Sequence, residues 1–164
     1  MPSPGHGEGD LLMVTRDSAI ATLVERQTRY CQLVALPDET NAEPVCAALK
    51  ASITTRPIQL RRSLTWDQGK EMAEHRRFSV QTGVEVYFRD PRSPWQRGSN
   101  ENTNGLLRQY FPKGKSLAGV TQTELDEVAR KLNDRPRQTL GFRTPAEKLT
   151  DLIDGVSHTD PSER

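Results

Sequence analysis

Asp10, Asp67 and Glu101 are the residues of this sequence best placed to do chemistry, because each carboxylate sits in a segment with a definite local pattern. Asp10 interrupts the apolar run Gly9-Asp10-Leu11-Leu12-Met13-Val14, and Asp67 follows Leu64-Thr65-Trp66. Glu101 lies within Ser93-Pro94-Trp95-Gln96-Arg97-Gly98-Ser99-Asn100-Glu101-Asn102-Thr103-Asn104-Gly105. That last stretch gathers a carboxylate, several amides and a basic residue at the start of an expected helix, an arrangement suited to holding a metal beside a phosphate. Transferring or hydrolysing a phosphodiester needs an activated nucleophile and a stabilised leaving oxygen on opposite sides of phosphorus. Two divalent ions about 3.5–4 Å apart can supply both. Mg²⁺ takes a few carboxylates, with water and substrate phosphate completing its octahedron, so three acidic residues from separate elements suffice. Taken singly, each carboxylate has a plainer alternative as a cap or a surface charge, and Asp67 could simply cap the helix that follows it.

The elements that must position these residues follow from the hydrophobic pattern. Asp10–Val14 has the character of a strand buried on both faces, where a carboxylate is costly unless paired or metal-bound. Ser18–Val24 and Tyr30–Leu36 are expected as two further strands joined by the charged turn Glu25-Arg26-Gln27-Thr28-Arg29, making an antiparallel meander. A helix over Asn41–Lys50 would cross the sheet, and the strand Ser63–Trp66 would deliver Asp67 at its C-terminal end. A second helix is expected from Gly69 to about Thr82, stopped by Gly83, and then a fifth strand, Val84–Phe88. After the turn-rich loop Asp90–Gly98, Glu101, Asn104 and Arg108 share one face of a helix, while Leu107, Tyr110 and Phe111 fall mostly on the other. Thr121 with Glu124 forms a capping box ahead of Leu125, Val128, Ala129 and Leu132, and Thr144-Pro145-Ala146-Glu147 repeats the device. This order is that of an α/β domain with a mixed sheet.

With 164 residues and 34% hydrophobic content, the chain fits one compact domain. We expect a flexible segment at residues 1–7, a core over residues 8–153 and a flexible tail over residues 154–164. No run approaches the roughly 18 apolar residues of a membrane span, and the start has no signal pattern, which points to the cytoplasm. Cys31 and Cys46 are 15 apart with no second pair, so a disulfide framework or zinc site is not supported and two half-buried thiols are expected. His6 and His75 are candidate neighbours of a metal, His75 more simply a helix-surface residue. The net charge is only +1, yet residues 56–115 carry twelve basic against six acidic side chains, a local +6 around Asp67 and Glu101. A positive field surrounding an acidic site suits a nuclease acting on a polyanion; a solvated mixed-charge surface is the alternative. Arg108 lies two helical turns, about 10 Å, beyond Glu101, within reach of a DNA phosphate. Arg97, Lys113 and Lys115 are candidates for backbone contacts. Trp95 is a candidate for stacking on bases, whereas Trp66 is expected in the core.

With 33 residues between Asp67 and Glu101, an upstream Asp10, and Arg108 seven residues past the Glu, the chain resembles the Asp-Asp-Glu transposases of bacterial insertion sequences. Three segments resemble the insertion-sequence-thirty family in particular: Leu-Thr-Trp-Asp-Gln-Gly-Lys-Glu-Met at 64–72, Ser-Pro-Trp-Gln-Arg-Gly-Ser-Asn-Glu-Asn-Thr-Asn-Gly at 93–105, and Gly-Phe-Arg-Thr-Pro-Ala-Glu at 141–147. The likeness runs from about Gly5 to Leu149. It implies a ribonuclease-H-like, retroviral-integrase-like catalytic core with a five-stranded mixed sheet flanked by helices. It also implies metal-dependent strand cleavage and strand transfer on DNA, without a covalent enzyme intermediate. By the same resemblance Asp10 would bridge two Mg²⁺ or Mn²⁺ ions, with Asp67 and Glu101 each holding one, and Asn104 would belong to the DNA-contacting set. The implied partners are element ends and target DNA, with a homo-oligomer assembled on them in the bacterial nucleoid and no membrane. The family tends to have Trp where Gly7 stands and His where Arg92 stands, and it usually carries a helix-turn-helix region upstream, so the chain resembles the C-terminal catalytic portion. Two alternatives follow: a catalytically idle remnant that binds DNA or a full-length transposase, and a ribonuclease-H-like nuclease with a host role.

Overall fold

Apolar runs of strand length and two capping boxes set most of the architecture. The computed structural model describes residues 4–15, 18–36, 42–56, 60–66, 75–88, 103, 105–114 and 120–157. In chain order these form β1 (His6–Thr15), β2 (Ser18–Glu25), β3 (Cys31–Ala35), α1 (Ala42–Ile53), β4 (Ser63–Trp66), α2 (His75–Thr82), β5 (Glu85–Phe88), α3 (Gln122–Asn133) and α4 (Pro145–Ser157). Thr103 and residues 105–107 are helical as well. The five strands make one sheet in the order β3-β2-β1-β4-β5. β1, β2 and β3 pair antiparallel as the meander predicts, while β4 pairs parallel to β1 and β5 parallel to β4. The result is the expected mixed sheet with helices on both faces.

Side chains alternate across each strand, and so the sheet has two cores. One face carries Ala21, Leu23, Val34, Leu64 and Trp66 against Val45, Cys46, Leu49 and Ile53 of α1 and Phe78 of α2. The opposite face carries Leu12, Val14, Ile20, Val24 and Leu33 against Leu107 and Phe111 and against Leu125, Ala129 and Leu132 of α3. The latter three recur at helical spacing, which is why α3 buries one stripe and exposes the rest. Thr121 caps α3 by accepting the Glu124 N–H at 3.2 Å. At α4, Thr144 Oγ1 accepts the Glu147 N–H at 3.1 Å while the Glu147 carboxylate accepts the Thr144 N–H at 2.9 Å. The box at α4 is reciprocal as the sequence pattern predicts, and Thr121 serves as the expected N-cap of α3. Gly83 stops α2 at φ 76°, donating its N–H to the Ser79 carbonyl at 2.9 Å.

Four expectations are corrected. β1 begins at His6, not at Asp10, because His6, Gly7, Glu8 and Gly9 pair with Ser63 through Trp66; the last two residues of the segment expected to be flexible are therefore strand. α1 runs three residues past Lys50, with the apolar Ile53 in the core. α4 continues to Ser157, beyond the Asp154 where a frayed tail was expected to start. Both cysteines are buried outright and form no disulfide with each other, and burial pushes the Cys31 thiol up to about 12. The expected opening of the second helix at Gly69 and the loop Asp90–Gly98 lie outside the described residues.

Candidate active site

Asp10 sits in the middle of the central strand, on the face that carries Leu12 and Val14. Its cross-strand partner on β2 is Thr22, which is fully buried, and the Thr22 hydroxyl donates to the Asp10 carbonyl at 3.4 Å. One oxygen of the Asp10 carboxylate accepts the Leu11 N–H at 2.8 Å, which fixes the side chain close to its own backbone. The carboxyl is half-buried, so it meets solvent while being held.

The parallel register of β1 with β4 bears directly on the second carboxylate. Glu8 pairs with Thr65 and Gly9 with Trp66. Asp10 and Asp67 are each the next residue in the sequence after that last pair. Gly9 and Trp66 point away from the Asp10 face, and the indole needs the space that a side chain on residue 9 would occupy. A Cβ built at Gly9 would lie 2.5 Å from Cζ3 of the ring, and the ring, 1% exposed, has nowhere to move. The glycine therefore lets the Trp66 ring lie over the β1 backbone. Trp66 is core, as expected from sequence.

The Asp10 face is also the one packed by the segment that follows Glu101. Thr103 and Leu107 are buried and Phe111 nearly so, with Leu106 and Tyr110 partly buried beside them. The Tyr110 hydroxyl accepts from Arg135 at 2.9 Å, and the Gly114 N–H donates to the Val14 carbonyl at 2.7 Å, tying the end of this segment to β1. Arg108 is half-buried and Lys113 exposed on this segment. Asp67, Trp95, Arg97, Glu101, Asn104 and Lys115 lie outside the described residues, so of the expected site residues the structure locates Asp10, Arg108 and Lys113. Among the described residues no group of three or more His, Cys, Asp or Glu could hold a metal ion. Nor do the histidines belong to such a group: His6 Nδ1 lies 2.6 Å from the Ser63 hydroxyl, and His75 meets Phe88 edge-on at 5.2 Å between ring centres.

Sequence reasoning passed over Glu8 and Arg26. Glu8 is 5% exposed, on the same face as Asp10 and two residues before it, and its carboxylate pairs with Arg26 at 3.2 Å. Arg26 was expected only as part of a charged turn. The signal was present in the sequence as a carboxylate at i−2 from Asp10, which strand alternation places on the same face. Its cation is remote in sequence and becomes visible only with the β1–β2 register.

Among the described residues no helix is long and apolar enough to cross a membrane. The chain is 55% identical over 158 residues to the transposase InsI for insertion sequence element IS30A of Escherichia coli (strain K12), covering 96% of this chain and 40% of that protein. It is 50% identical over 151 residues to the transposase for insertion sequence element IS1086 of Cupriavidus metallidurans, covering 92% of this chain and 44% of the relative. The transposase for insertion sequence element IS4351 of Bacteroides fragilis is 39% identical over 136 residues, with 82% and 41% covered. The chain thus spans about two fifths of the length of these relatives. The integrase core domain model matches residues 3–94, which hold all five strands, and with more than half of its length so matched the chain belongs to the integrase core domain family, whose ribonuclease-H-like sheet it carries.

Proposed function

We propose that this chain is the catalytic core of an insertion-sequence transposase, a polynucleotidyl transferase that cuts DNA at element ends and joins it to target DNA. The observation that carries this reading is the register Gly9 to Trp66, because Asp10 and Asp67 are each the residue that follows that pair in the sequence, Trp66 being the last residue of β4. Open α/β sheets bind their ligands at the carboxyl ends of parallel strands. The identity to transposases and the integrase core match support the same conclusion.

Integrase-like domains of this type generally use divalent metals. A half-buried, backbone-anchored Asp10 carboxylate suits a hard cation that favours oxygen ligands, and we assign Asp10, Asp67 and Glu101 as the residues that would hold Mg²⁺ or Mn²⁺. When bound, two such ions would supply activation of the attacking hydroxyl and stabilisation of the departing 3′-oxygen. The chain's own residues do the rest. Asp10 is oriented by the Leu11 N–H, Gly9 leaves room for the Trp66 ring beneath the strand, and Arg108, Lys113, Arg97, Lys115, Asn104 and Trp95 would grip the DNA backbone and bases. Assembly of two or more copies on paired ends in the nucleoid belongs to the same proposal.

The test is nicking of a labelled duplex bearing the element's terminal repeat, with Mg²⁺ or Mn²⁺, by the unaltered chain and by Asp10→Asn and Asp67→Asn. Metal-dependent nicking should fall at least about 100-fold in both variants while DNA retention holds, since phosphate contacts come from basic residues. A folded, DNA-bound chain that never nicks would return the idle-remnant reading.

A further inference from the structure

Arg26 begins the turn after β2, and the structure pins it there. Its N–H donates to the His6 carbonyl at 2.8 Å. The preceding Glu25, 2% exposed, anchors the turn: its carboxylate accepts from the Thr28 N–H and hydroxyl at 2.6 Å each, from the Gln27 N–H at 3.1 Å and from the Gly5 N–H at 3.3 Å. From this fixed backbone the guanidinium reaches across two strands. Nε meets the Glu8 carboxylate at 3.2 Å, and Nη2 meets the Thr65 hydroxyl at 3.4 Å. Glu8 and Thr65 are cross-strand partners in the parallel β1–β4 pair. Each lies two residues before a candidate metal ligand, Glu8 before Asp10 and Thr65 before Asp67.

Two residues along a strand is about 6.6 Å on one face. Glu8 is therefore a further carboxylate beside Asp10 that, left without its guanidinium, would draw a cation of its own, and a site for one or two ions must exclude that extra ion. We propose that Arg26 is a positioning residue: it occupies Glu8 and ties it to Thr65, so that divalent cations drawn to this face engage Asp10 and not Glu8. This rests on the cation role of Asp10 proposed above. Arg26 touches neither substrate nor metal in this scheme; it acts through Glu8 and through the register of the two strands.

The experiment counts Mn²⁺ bound per chain by electron paramagnetic resonance of the free ion, with a thermal melt on each protein. The proteins are the unaltered chain, Asp10→Asn, Arg26→Ala and the double variant Arg26→Ala with Glu8→Gln. Arg26→Ala should bind at least one additional Mn²⁺, the double variant should return to the count of the unaltered chain, and Asp10→Asn should bind fewer. Should Arg26→Ala fail to fold, Arg26→Gln, which removes the charge and keeps an N–H donor, carries the same expectation. An unchanged count and affinity in the Arg26 variant overturns the proposal, as does an extra ion that persists in the double variant, since an ion pair that merely stabilises the turn would shift the melt alone. If the unaltered chain binds no Mn²⁺, the cation role of Asp10 falls and this inference with it, an outcome separate from the other two.

Discussion

The two faces of the sheet are built from the same strands and hold opposite contents. On the Trp66 side, every described strand residue that points inward is apolar or glycine near β4: Gly7, Gly9, Leu64 and Trp66, closed over by Phe78 and Val84. On the Asp10 side, Leu12 and Val14 of β1 join Ile20, Val24 and Leu33 in an apolar region, while towards β4 the face turns polar, with Asp10 and with Glu8 and Thr65, the latter two held by Arg26. Near β4 the Trp66 face is spent on cohesion. The other divides the work, packing α3 at one end and presenting carboxylates at the other. The lesson is that Gly9 on β1 is the hinge of this division, since it makes room for an indole beneath a strand whose upper side must stay polar.

Changes on the two faces should therefore separate stability from chemistry. The largest effect on stability is expected from Trp66→Ala, which empties the most voluminous buried side chain and should cost about 3–5 kcal/mol in denaturant unfolding. Asp10→Asn should leave the same unfolding curve almost unmoved while removing cleavage; an equal drop in stability would break the distinction between the faces. Smaller is the expected loss for Asn133→Ala, about 2 kcal/mol, because the Asn133 amide accepts the Cys31 N–H at 2.8 Å and donates to the Cys31 carbonyl at 2.9 Å in a buried setting. Smallest is Thr144→Ala at α4, about 1 kcal/mol for a lost cap. That cap also carries a pH signature. The Thr144 N–H and hydroxyl hold the Glu147 carboxyl below its ordinary value, so its contribution is present above the unfolded-state pKa and is lost as pH falls through the lower folded value. A melt series through the acid range should lose this increment in the unaltered chain and show a smaller one in Thr144→Ala, which removes the hydroxyl and keeps the backbone N–H.

Local signals made most of the fold legible. The caps at Thr121 and Thr144, the stop at Gly83 and the apolar meander each depend on residues within a few positions of one another, and each is where the pattern puts it. The start of β1 was not legible, because Gly5-His6-Gly7-Glu8-Gly9 has neither strand propensity nor alternation; pairing with β4, more than fifty residues away, makes it a strand. The same holds for Asn133 and for Arg26, whose partners are distant in sequence. Of the site, Asp10 was legible as a carboxylate too costly to bury for nothing, and Glu101 and Asp67 were read from motifs whose geometry remains part of the proposal.

Asn133 and Gln122 have a further consequence. Gln122 accepts the Ala35 N–H at 2.8 Å and donates to the Leu33 carbonyl at 2.7 Å, while Asn133 serves both groups of Cys31. Two amide side chains on one helix thus stand in for a sixth strand along β3. A sheet whose outermost strand is already satisfied offers little template for a second chain to add to, so high local concentrations of this protein should not seed fibrils from that end unless α3 first lifts away.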